Sequence, residues 1–216
     1  MGSFKNNSLI QGWLIILLSV LFSVSLAAVN IKLSPVIEEN KTKETMEKIP
    51  GLITGGTDTG SAPDNAPFII RQRSIKTKKA GVIKTYITYD VFGHNNEVAG
   101  HVIKASGQGY ADKIELLLGL DPAGEKITGL FILDQKETPG LGNKIIDDDW
   151  RGQFTGKSSD TPLVVIKGNP VNKNEIDAIS GATISSRSVT DIINSAIGDV
   201  KKEIAVVPES YNEENI

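Results

Sequence analysis

The N-terminal part of the chain contains a long apolar run, residues 9–29, in which none of the 21 side chains is charged. A helix rises about 1.5 Å per residue, so the run is long enough to cross a hydrocarbon core of about 30 Å. A cleaved secretory signal is the alternative, because Ser25-Leu26-Ala27 resembles a cleavage site, but its apolar region usually has only about 7–15 residues. The length predicts an uncleaved transmembrane anchor behind a short arm, residues 1–8.

The charges that flank this run leave its orientation open. Lys5 precedes it, and the next 38 residues, 30–67, contain four lysines, Lys32, Lys41, Lys43 and Lys48. By the positive-inside rule this would keep the following domain in the cytoplasm. Three of those four lie among glutamates and far from the membrane end, and long domains are translocated largely regardless of charge.

Composition excludes several classes of function. Among 216 residues, 23 Lys and Arg stand against 26 Asp and Glu, for a net charge of −3, so no nucleic-acid partner is predicted. The absence of cysteine excludes disulfides, thiolate metal sites and cysteine-ligated iron–sulfur clusters within this chain.

Familiar catalytic and binding motifs are also missing. The two histidines, His94 and His101, form no HExxH arrangement, and Asp147-Asp148-Asp149 is predicted as a turn or helix cap. Metal sites are therefore not expected. Gly107-Gln108-Gly109 and Gly140-Leu141-Gly142 begin like dinucleotide fingerprints but lack the third glycine.

The rest of the chain is predicted to be a connector, a folded domain and a tail. Residues 30–67 are a polar connector, with a possible short helix near residues 38–49 that Pro50-Gly51 would end. Residues 68–207 carry the folded domain, and residues 208–216 are a tail. Runs typical of strands lie at residues 68–70, 82–89, 98–104, 114–118, 127–133 and 163–166.

One strong helix follows these strands. Apolar residues recur with the helical period from Val189 to Val200, which predicts an amphipathic helix over residues 186–202, capped by Ser185 or Ser186. Strands clustered before one helix predict an α+β fold, with a twisted and mostly antiparallel sheet and packed helices.

The segment Asp177-Ala178-Ile179-Ser180-Gly181-Ala182-Thr183 directly precedes that helix. A helix start presents unpaired N–H groups and a partial positive charge, so a phosphate is favoured there. A simple capping loop is the other interpretation, and on physical grounds alone it is the stronger of the two.

Asp177-x-x-Ser180-Gly181-Ala182-Thr183 resembles the flavinylation motif of FMN-binding domains in the G subunit of the Rnf electron-transport complex. The motif is shared with the C subunit of the sodium-pumping NADH:quinone oxidoreductase. In that family the threonine matching Thr183 is joined through its hydroxyl to the phosphate of FMN, by a separate flavin transferase that uses FAD. A second segment, Glu137-Thr138-Pro139-Gly140-Leu141-Gly142, resembles the Glu-Thr-Pro-Gly-x-Gly segment of the same family.

The resemblance implies a membrane-anchored electron carrier with covalent FMN, one redox subunit of an ion-translocating ferredoxin:NAD oxidoreductase rather than a complete enzyme. Its partners would be the membrane and iron–sulfur subunits of the complex, and its domain would lie on the extracytoplasmic side of the inner membrane. The C subunit of the quinone reductase and a non-redox extracytoplasmic binding domain are the alternatives. The expected cofactor-binding residues are Thr183, Ser180, Gly181, Ala182, Asp177, Glu137, Thr138, Gly140, Leu141 and Gly142.

Overall fold

The computed structural model describes residues 8–55, 68–79 and 81–204. Most of the predicted arm and all of the tail lie outside the described residues, as does the Gly/Thr/Ser-rich stretch 56–67. The chain divides into two compact units, Met1–Glu44 and Thr45–Ile216.

Helix α1, Ser8–Thr54, carries the apolar run. Among the described residues it is the one helix that is long and apolar enough to cross a membrane. Large apolar side chains such as Trp13, Leu21 and Phe22 are exposed along it. A helix with apolar side chains all round is typical of a lipid-facing span, so the predicted anchor agrees with the structure in its length and composition.

The C-terminal end of α1 differs from the sequence prediction. Instead of a short helix that ends at Pro50-Gly51, α1 continues through both residues to Thr54, so the predicted connector is helical for much of its length. Ile49 and Leu52 belong to the second unit and are buried there in one cluster with Tyr89 and Leu117. Burying such side chains stabilises the folded chain by about 1.5–3 kcal/mol each, which offsets a proline penalty of about 3 kcal/mol.

The second unit is built on a five-stranded antiparallel sheet whose strands follow one another in chain order. All five predicted strand runs of this sheet are confirmed, and several extend further than predicted. The strands are β1 Ile69–Lys79, β2 Val82–Phe92, β3 Val98–Gln108, β4 Lys113–Leu120 and β5 Ile127–Asp134. The last turns of α1 cover one face of the sheet.

Helix α3, Thr183–Ile204, covers the opposite face. Its predicted apolar stripe, which includes Val189, Ile193 and Val200, is buried in one core with Ile103 and Leu118 of the sheet. The predicted helix and the α+β class are therefore confirmed.

Between β5 and α3 the chain forms short elements that close the edge of the sheet. They are 3₁₀ helices at Gly142–Ile146 and Gly152–Phe154, helix α2 Asp148–Arg151, and the parallel strands β6 Val164–Ile166 and β7 Glu175–Asp177. Buried Arg151 donates a hydrogen bond of 2.9 Å to the Leu130 carbonyl on β5. Trp150 donates from Nε1 to the Asp177 carbonyl at 2.9 Å, which ties this region to the segment before α3.

Candidate functional site

The start of α3 lies at Thr183, earlier than predicted. Its first intrahelical hydrogen bond runs from the Ser186 N–H to the Ala182 carbonyl, 3.1 Å, so the N–H groups of residues 183–185 have no acceptor within the helix. The predicted cap by Ser185 or Ser186 is wrong, because both residues lie inside the first turn. Ser186 Oγ instead accepts from the Ile179 N–H and donates to the Ala182 carbonyl, which closes the preceding loop.

Glu137 connects three segments of the site. Its Oε1 accepts hydrogen bonds from the backbone N–H groups of Tyr110, at 2.9 Å, and Ala111, at 3.1 Å. Its Oε2 accepts from the Ser185 hydroxyl at 2.6 Å. A set made entirely of donors suits an ionised carboxylate, and only 4% of Glu137 is exposed. The carboxylate thus joins the turn after β3, the 137–142 loop and the first turn of α3.

Two glycines permit this close approach. A Cβ added to Gly142 would lie 2.7 Å from Ser185 Oγ and 2.9 Å from Glu137 Cβ, and one on Gly109 would lie 2.3 Å from Glu137 Oε1. Such distances are shorter than van der Waals contact, so any larger residue would push the segments apart.

A cleft of about 580 Å³ opens beside this junction, within the range of roughly 300–1,000 Å³ typical of small-molecule sites. Its lining combines apolar side chains with backbone and hydroxyl groups, and Lys167 is the one cation among the described residues that line it. The lining residues are Tyr110, Thr138, Leu141, Gly142, Lys167, Gly181, Ala182, Thr183, Ile184 and Ser185.

The cleft has the groups that a flavin phosphate and ring would use. Free N–H groups and the dipole at the start of α3 favour a phosphate beside Thr183. Tyr110, Leu141 and Ile184 keep large apolar surfaces exposed although they line the cleft, which suits a flat aromatic ring. The residues present therefore fit FMN.

Six of the ten expected site residues line the cleft, and four lie outside its lining. Glu137 is buried behind the lining residues Ser185 and Gly142, and Ser180 and Gly140 are exposed. The Asp177 carboxylate accepts a hydrogen bond from the Gly168 N–H at 3.0 Å, and so holds the turn beside Lys167.

Sequence reasoning missed four lining residues, Tyr110, Lys167, Ile184 and Ser185. Ile184 and Ser185 directly follow the motif and could have been found from it. Tyr110 follows Gly107-Gln108-Gly109 at the end of β3, and that segment was considered only as a dinucleotide fingerprint. Nothing in the sequence marks Lys167, which reaches the cleft through the β6–β7 connection.

Comparisons with known proteins identify the family. A family model described as an FMN-binding domain matches residues 109–198. The G subunit of the Na(+)-translocating ferredoxin:NAD(+) oxidoreductase complex of Acetobacterium woodii is 32% identical over 188 residues, covering 86% of this chain and 88% of the relative. The chain belongs to the family of these G subunits. The G subunit of the proton-translocating complex of Clostridium ljungdahlii is 40% identical over 105 residues, 49% of this chain and 55% of the relative.

The G-subunit family shares its FMN-binding domain and fold with the C subunits of sodium-translocating NADH-quinone reductases. The C subunit of the Yersinia pestis reductase is 29% identical over 129 residues, 56% of this chain and 47% of the relative. The crystal structure of NqrC from Shewanella oneidensis superposes with a TM-score of 0.60 at 17% identity, covering 77% of this chain and 96% of that one. The fold of the chain is thus that of an FMN-binding domain.

Proposed function

We propose that this chain is a membrane-anchored electron carrier in which FMN occupies the cleft and is joined through its phosphate to Thr183. The observation that carries the proposal is the position of Thr183, which is the first residue of α3 and lines the cleft. The FMN-binding domain match supports the cofactor. FMN supplies the electron-carrying chemistry when bound, and the chain supplies attachment, orientation and the local field.

The attachment fits the geometry at Thr183. A separate flavin transferase would let Thr183 Oγ attack the FMN phosphorus of FAD, so that an Oγ–P bond forms, the bond between the two phosphates breaks and AMP leaves. The hydroxyl proton would go to a base on the transferase. The N–H groups at the start of α3 would then hold the phosphate oxygens, and the covalent bond would retain the cofactor through repeated redox cycles.

The same proposal gives the chain its place in a complex. We infer that it works with membrane and iron–sulfur subunits of a complex that exchanges electrons between ferredoxin and NAD and couples this to ion movement. The names of two relatives state ferredoxin:NAD(+) oxidoreduction and ion translocation for their own complexes. The G-subunit role is favoured over the C-subunit role because the Acetobacterium woodii relative matches along 86% of the chain. Residues 68–207 would carry the flavin, and the proteins that copurify from the native membrane would separate the two assignments.

A mass measurement tests the cofactor assignment. The full-length protein, coproduced with an active flavin transferase, should gain the mass of FMN less one water on the tryptic peptide that contains Thr183. The transferase is first shown to modify a control substrate. An unmodified, colourless protein would contradict the proposal and favour a non-redox binding domain.

The orientation of the domain can be measured separately. The chain has no cysteine, so one introduced by Val171→Cys, at a site that is 88% exposed, would be the only target of a membrane-impermeant maleimide. We expect labelling in cells whose inner membrane is intact and whose outer layers admit the reagent, because the domain is proposed to be extracytoplasmic. A Ser3→Cys control, before the span, should label only after the inner membrane is permeabilised. The reverse pattern would place the domain in the cytoplasm.

A further inference from the structure

The buried carboxylate of Glu137 is the starting point. Its partners in the described part of the chain are two backbone N–H groups and one hydroxyl, and no ion pair joins it to a cation there. Hydrogen-bond donors stabilise the charge in place without cancelling it. A net negative charge is thereby fixed inside the protein, where salt screens it little.

That charge lies directly behind the wall of the cleft. Ser185 and Gly142 line the cleft, and both contact Glu137: Ser185 donates to Oε2, and a Cβ on Gly142 would lie 2.9 Å from Oε2. Lys167 contributes a charge of opposite sign, but its side chain is exposed at the rim. Buried charges act through a lower effective dielectric constant than exposed ones, so Glu137 should have the stronger field of the two.

We propose that Glu137 sets the reduction potential of the cofactor by lowering it, rather than by contacting the ring. The inference rests on the proposed function, because it requires FMN in this cleft. Adding an electron to a group beside a fixed negative charge costs Coulomb energy. Reduction is therefore disfavoured, and the bound cofactor becomes a stronger reductant than it would be in a neutral cleft.

The experiment compares reduction potentials of full-length, flavin-loaded protein in detergent at pH 8, by spectroelectrochemical titration. Glu137→Gln keeps the shape of the side chain and removes its charge, so the reduction potential should rise. We expect the equilibrium constant for reduction to change tenfold or more, which is about 59 mV for one electron. The Ser185 hydroxyl points the positive end of its dipole at Glu137 Oε2 and so offsets part of the carboxylate's field. Ser185→Ala removes that dipole and should therefore lower the potential. The two opposite signs separate a field effect from general loosening of the site.

Lys167→Met provides the matched control for an exposed charge. It should lower the potential by less than Glu137→Gln raises it, and its effect should shrink in high salt while that of Glu137→Gln persists. A flavin-loaded Glu137→Gln protein with an unchanged reduction potential would overturn the inference. A Glu137→Gln protein that folds but takes up no flavin would also overturn it, because Glu137 would then act in attachment. If Glu137→Gln does not fold, an unchanged or raised potential in Ser185→Ala overturns it. Absence of flavin in the unsubstituted protein would contradict the proposed function instead.

Discussion

Thr183→Ala should give a folded protein that carries no covalent flavin. Thr183 opens α3 and is partly exposed in the cleft, and alanine is favourable in a helix, so the fold should be retained. The hydroxyl that would form the bond to phosphorus is lost, and no other side chain occupies that position. We expect the adduct to fall from near-complete to undetectable by intact mass and by in-gel flavin fluorescence.

Two further substitutions control this result. Thr161→Ala removes an exposed hydroxyl outside the motif and the cleft lining and should leave the adduct in place. Thr183→Ser keeps a hydroxyl at the correct position and should be modified at least in part. A covalent flavin that persists in Thr183→Ala would refute the attachment site, and its peptide mass would reveal the residue that carries it.

The elements that could be predicted from sequence are those with a local, periodic signal. The stripe from Val189 to Val200 predicted α3 because every apolar position packs against one sheet face. The uncharged run predicted the apolar part of α1 because its length and composition are likewise a local signal. The path through Pro50 could not be predicted, because burial of Ile49 and Leu52 against distant strands overrides the local helix-breaking tendency.

The candidate site was predictable only where it is contiguous in sequence. The motif that ends at Thr183 marks the start of α3, and the 137–142 segment marks the facing loop. Glu137 was expected among the cofactor-binding residues, and its carboxylate accepts hydrogen bonds from the backbone of Tyr110 and Ala111, which follow β3. Such a contact depends on strand register, which no residue of the motif encodes.

Gly142→Ala should lower both the stability of the fold and the incorporation of flavin. The new Cβ would meet Ser185 Oγ at 2.7 Å and Glu137 Cβ at 2.9 Å, so the 137–142 loop must move away from the first turn of α3. Overpacking of this kind typically costs about 1–3 kcal/mol. We expect a lower free energy of unfolding in urea and strongly reduced flavin incorporation, because the transferase would meet a displaced Thr183.

Gly152→Ala is the matched control. Gly152 has an ordinary helical φ of −57°, and nothing lies within 4 Å of the Cβ that alanine would add. Its stability should change little or rise by up to about 1 kcal/mol, with flavin incorporation unchanged. Equal stability and equal incorporation in the two variants would show that the loop and the helix start are not tightly packed. The close contact of Gly142 with Ser185 and Glu137 would then not be needed for stability or for flavin attachment.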